Sequence, residues 1–82
     1  MLKKDIIDEV YKLRVKGLRE NGEFFLSVIM NLQRKYEINT TNKGNPRNYL
    51  PNANTLTVNE WNKLYNIHLQ ALEICNLKNN LN

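Results

Sequence analysis

His68 and Cys75 are the single histidine and the single cysteine of the chain, the side chains best suited to act as base and nucleophile. Seven residues apart on a helix, they would share a face but stand about 10 Å apart along the axis, too far for one to take a proton from the other. Together they also offer at most two ligands, where a structural zinc ion asks for four. Both are therefore expected to be structural, His68 at the edge of a core and Cys75 packing as a small hydrophobe, with no metal and no cofactor. Asp5, Asp8 and Glu9 are the only clustered carboxylates, and they read as a solvated helical face rather than a general acid and base. The three glycines are scattered, with no phosphate-cradling spacing. The chain is not expected to be an enzyme.

Charge offers a more specific lead. Twelve Lys and Arg against eight Asp and Glu leave a net charge of +4, a mild preference for anionic partners. Three of those four surplus charges lie between Arg34 and Arg47, where Arg34, Lys35, Lys43 and Arg47 face only Glu37. With Tyr49 close by, Arg34, Lys35, Lys43 and Arg47 form either a solvated basic loop or a surface that recognises an anion. Lys12, Lys16 and Arg19 make a secondary basic stripe at spacing i, i+4, i+7, which would lie along phosphates if it were not bordered by Asp8 and Glu9.

These residues need elements to hold them, and apolar periodicity supplies three helices. The first runs from about residue 2 to 20, with Leu2, Ile6, Val10, Leu13 and Gly17 along one stripe. Its acids precede its bases, Arg14 among them, in the order the helix dipole favours. Asn21-Gly22 then permits a tight turn. The second runs from about 23 to 37, with Phe25, Ile29, Leu32 and Tyr36 on one face and Leu26 and Met30 beside them, apolar on most of its circumference. Gly44, Pro46, Pro51 and many asparagines exclude helix over about 38–56. The third begins at Thr57-Val58-Asn59-Glu60, the spacing of a capping box, and runs to about Leu77, with the tail from Lys78 fraying. Trp61, Leu64, Tyr65, His68, Leu72 and Cys75 form its main face. Ile67, Ala71 and Ile74 make a second apolar stripe, either core or a self-association surface.

The expected fold is therefore all-α, one small three-helix bundle over residues 1–82 with a long Asn/Pro-rich loop between the second and third helices. At 82 residues the chain is too short for two separately cored units. The apolar surplus of the second and third helices leads to an expected homo-oligomer. A lone cysteine argues against a disulfide-stabilised secreted domain, and acids at Asp5, Asp8 and Glu9 interrupt any signal-like N-terminus. No apolar run approaches the roughly 20 residues that span a bilayer. A cytoplasmic protein without membrane contact is expected.

Asparagine occupies 15 positions, a bias of AT-rich coding sequence, and suggests a low-GC bacterium or a phage or mobile element living in one. No motif names a family. By subtraction, the expected role is a small non-catalytic interaction protein, an accessory factor that inhibits or regulates a bacterial defence or nucleic-acid-handling protein by stoichiometric binding to an acidic surface. The alternative is a module that binds nucleic acid or sequesters a nucleotide through the basic 34–47 segment.

Overall fold

Residues 2–38, 44, 45, 50, 51 and 53–81 are described by the computed structural model, and within them three helices carry the fold. α1 spans Lys3–Asn21 and buries Ile6, Val10, Arg14 and Gly17, a stripe at steps of four, four and three. One residue then ends α1 and starts α2. Gly22 has φ 59 and ψ −139, a region open to glycine and strained for other residues. Its N–H donates to the Leu18 carbonyl at 2.9 Å, and its own carbonyl accepts from Phe25 at 3.1 Å.

α2 spans Glu23–Lys35 and buries Phe25, Val28, Ile29, Leu32 and Gln33. It stops two residues short of the expected end because the chain turns over in a Schellman closure. Ile38 N–H donates to the Gln33 carbonyl at 2.9 Å, and Glu37 N–H to the Arg34 carbonyl at 3.2 Å. Glu37 takes the left-handed conformation, φ 58, that this closure requires. Ile38 is thereby swung into the core.

The long connection contains a minimal antiparallel ladder, β1 (Gly44–Asn45) against β2 (Leu50–Pro51), followed by a 3₁₀ turn over Ala53–Thr55. Its far end is tied down by Leu56, which is buried, and by the Trp61 indole N–H, which donates to the Ala53 carbonyl at 3.2 Å.

α3 spans Val58–Leu81. The capping box forms as its spacing predicts: Glu60 N–H donates to Thr57 Oγ1 at 3.1 Å, and Thr57 N–H to Glu60 Oε1 at 2.9 Å. The helix extends past Leu77 instead of fraying, because its last turns are held from across the bundle. Lys78 Nζ lies 3.8 Å from the centre of the Phe24 ring, and Asn79 Nδ2 donates to Asn21 Oδ1 at 3.2 Å.

α3 packs along both α1 and α2 more extensively than those two pack against each other. That placement settles the use of its two stripes. Trp61, Leu64, His68 and Cys75 are buried, and so are Ile67 and Ala71. A helix lying between two neighbours must be apolar over more than one stripe, so Ile67 and Ala71 of the second stripe are core. Among the described residues no helix is long and apolar enough to cross a membrane.

Candidate functional site

The reactive side chains are sealed in the centre of the bundle. His68 is 0 % exposed, and its Nδ1 lies 2.7 Å from the Leu64 carbonyl one turn back. A carbonyl only accepts, so Nδ1 carries the proton and Nε2 presents a lone pair. Arg14 Nη1, which only donates, lies 3.4 Å from that Nε2. The two contacts fix one tautomer of the neutral ring. Phe25 packs beside it, with ring centres 5.9 Å apart and planes tilted by 60°.

The electrostatics agree with this arrangement. Burial pulls the His68 pKa from 6.5 down to about 4; the Leu64 hydrogen bond acts in the opposite direction, and the Arg14 charge adds to the depression. Burial likewise pulls Arg14 down to about 10, which leaves it charged at neutral pH. Burial raises the Cys75 thiol, with Lys78 acting the other way, so the thiolate is disfavoured. Among the described residues no three His, Cys, Asp or Glu side chains gather where they would hold a metal ion.

Arg14 is the residue that sequence reasoning misplaced. It reads there as a base complementing the helix dipole, yet it is 4 % exposed. Its spacing carried a signal, since Ile6, Val10, Arg14 and Gly17 form as regular a stripe as one drawn through Leu13. Gly17, against which the Phe25 ring packs where a side chain would otherwise stand, belongs to both stripes, and what distinguishes Arg14 is the His68 acceptor it meets on α3.

The outward-facing chemistry lies at the end of α2. Arg34 and Lys35 are both exposed and point in different directions. Arg34 Nη2 donates to Asn31 Oδ1 at 2.6 Å and lines the outer face of α2. Lys35 Nζ lies 5.5 Å from the centre of the Tyr36 ring. Tyr36 in turn borders a groove of about 310 Å³ between the end of α2 and the outward face of α3, lined also by Lys63, Asn66, Leu69, Gln70 and Glu73. The Tyr36 hydroxyl donates to Gln70 Oε1 at 3.2 Å across the helix seam. Spacing places Tyr36 on one face with Phe25, Ile29 and Leu32, but unlike those three it is 39 % exposed and forms a wall of this groove. Nothing in the spacing of either helix alone marks the groove, because two separate segments build it.

Lys43, Arg47 and Tyr49 lie outside the described residues. Lys12, Lys16 and Arg19 are all exposed along α1, and Lys12 Nζ lies 3.4 Å from Glu9 Oε1, so one of the three cations already has an anion. Of the stripe expected to be core or a self-association surface, Ile67, Ala71 and Ile74, two residues go to the core. Ile67 and Ala71 are enclosed within this chain's own core, and Ile74 alone of the three is exposed.

No family model matches the chain, and no match was found among curated proteins or solved structures.

Proposed function

We propose that the chain is a non-catalytic binding protein that acts by stoichiometric attachment to an acidic patch on another protein. The observation that carries this reading is the groove between α2 and α3, with Tyr36, Lys63 and Leu69 among its walls and Lys35 beside the Tyr36 ring. A cation beside an aromatic ring and an apolar recess suits a partner that offers a carboxylate next to an apolar side chain. The placement of His68 and Cys75 supports the same conclusion. His68 has both ring nitrogens directed to groups of the core, and the Cys75 thiol is enclosed, so neither meets a substrate from solvent.

In sequence Lys43, Arg47 and Tyr49 follow Arg34 and Lys35, and Lys35 is the member of that pair beside the Tyr36 ring of the groove. The asparagine-rich composition supports a phage or mobile-element accessory factor working in a bacterial cytoplasm, with a defence or nucleic-acid-handling protein as its target. An acidic surface on such a target is one on which a small basic inhibitor can act by occupancy.

Affinity purification from host lysate, with mass spectrometry of both proteins and small molecules, identifies the ligand class. The expected result is a protein bound in fixed stoichiometry, with binding weakened by Lys35→Glu and by joint alanine replacement of Lys43, Arg47 and Tyr49. A partner whose binding ignores both changes would refute the placement. Recovery of nucleic acid or a nucleotide, with affinity falling steeply as salt rises, would replace the reading with direct binding of a phosphate-bearing ligand.

A further inference from the structure

The outer face of α2 is not covered by the rest of the described chain. Glu23, Leu26, Ser27, Met30, Asn31 and Arg34 line one shallow depression of about 470 Å³, and among the described residues all of its walls belong to this one helix. Met30 is 51 % exposed there. Positions 23, 27, 30 and 34 step by four, three and four, the alternation of steps that helices paired along a seam follow. The set is also palindromic about the midpoint between Val28 and Ile29, since Glu23 mirrors Arg34, Leu26 mirrors Asn31 and Ser27 mirrors Met30.

We propose that α2 docks antiparallel against α2 of a second copy of this chain, about a two-fold axis through that midpoint. The symmetry places Glu23 against Arg34 of the second copy, and Arg34 against its Glu23. At the centre, Met30 of each copy seats over the small Ser27 of the other, a large side chain in the space a small one leaves. A parallel pairing would set Glu23 on Glu23 and Arg34 on Arg34, so the charges select the antiparallel orientation. The contact is isologous and therefore closes at two copies. Only Leu26 and Met30 are strongly apolar, which makes the dimer concentration-dependent rather than obligate. The pairing occupies Arg34 and leaves Lys35 and the α2/α3 groove facing outward, so a dimer would present that groove twice.

Sedimentation equilibrium over a micromolar to millimolar range tests the proposal on the full chain. The expected result is a monomer–dimer equilibrium in the wild type. Glu23→Arg alone and Arg34→Glu alone each convert two attractive contacts into two repulsive ones, and each should weaken the dimer roughly tenfold. An equimolar mixture of the two single variants should form a heterodimer with both contacts attractive, and the double reversal should restore self-pairing. The helix dipole by itself favours Glu23 at the start of α2 and Arg34 at its end, so a purely structural role would make the double reversal the least stable protein, with no gain in association. Circular dichroism of each variant checks folding. A wild type that stays monomeric throughout, or a dimer indifferent to the single reversals, or a mixture that does not pair, overturns the proposal.

Discussion

Arg14 Nη1 stands 3.4 Å from His68 Nε2 in the buried centre of the bundle, a cation donating to a neutral imidazole. The pair spans α1 and α3, and its chemistry makes the fold sensitive to acid. A proton on Nε2 would turn the acceptor into a donor facing another donor, and would place a second positive charge beside the guanidinium.

Stability should therefore fall as pH drops below neutrality. His68 has a folded pKa of about 4 against an ordinary 6.5, so between those values the unfolded chain binds the proton and the folded chain does not. The contribution is fully present above about pH 6.5, is lost progressively down to about pH 4, and amounts to roughly 3 kcal/mol over that window. Urea unfolding at pH 7, 5.5 and 4 measures it. In His68→Gln, which cannot titrate, the loss over this window should be smaller by about that amount. Equal pH slopes in the two proteins would show that His68 protonates freely in the fold.

The same pair should be strongly non-additive. His68→Leu leaves a buried guanidinium without its imidazole acceptor, and Arg14→Met leaves a buried lone pair without its donor; each should cost about 2–4 kcal/mol. The double replacement removes the mismatch and should cost less than the sum by about 1–3 kcal/mol. A double-mutant cycle from denaturation midpoints reads the coupling directly, and strict additivity would mean that the two side chains do not depend on each other.

Two glycines should fail on replacement for opposite reasons. A Cβ at Gly17 would run into the body of the Phe25 ring, so Gly17→Ala should destabilise by about 1–2 kcal/mol, even though alanine is the better helix former. Pairing it with Phe25→Leu should reduce that penalty. At Gly22 a Cβ meets open space, and the obstacle is the backbone at φ 59. Gly22→Ala should cost about 1–3 kcal/mol, whereas D-alanine introduced there by synthesis, for which that conformation is the favoured mirror image, should be tolerated. Thermal unfolding of the four proteins separates the two mechanisms.

How far the sequence foretold this structure depends on whether one segment or several decide a feature. The Thr57 to Glu60 capping box and the Asn21-Gly22 turn are local, and their spacing alone locates the ends of α1 and α3. Ile67 and Ala71 are harder, because a stripe at 3.6-residue spacing is equally apolar whether it faces α2 or a second molecule. Arg14 is harder still: its charge argues for solvent, and the acceptor that holds it inside, His68, lies 54 residues further along on another helix. The α2/α3 groove has no local signature, since Tyr36 and Gln70 are brought together only by the packing. Of the candidate partner-binding residues, Arg34 and Lys35 are exposed as a surface role requires, while Lys43, Arg47 and Tyr49 lie in the segment where periodicity is silent.

Glu37 offers a change that should stabilise. It holds φ 58 at the position after the end of α2 where a Schellman closure usually takes glycine. The conformation is enforced from both sides, by its own N–H bond to the Arg34 carbonyl and by the Ile38 N–H bond to the Gln33 carbonyl. Burial of Ile38 supplies the driving force, because releasing Glu37 to a negative φ would withdraw that side chain from the core. Glu37→Gly removes the Cβ from the left-handed region at the cost of greater freedom in the unfolded chain, and the net gain should be about 0.5–1 kcal/mol. Glu37→Asn, which tolerates the same region, should gain less, and Glu37→Val, branched at Cβ, should lose stability. Urea midpoints for the three variants measure the order, and a valine variant as stable as the glycine one would show that this turn does not hold Glu37 left-handed in solution.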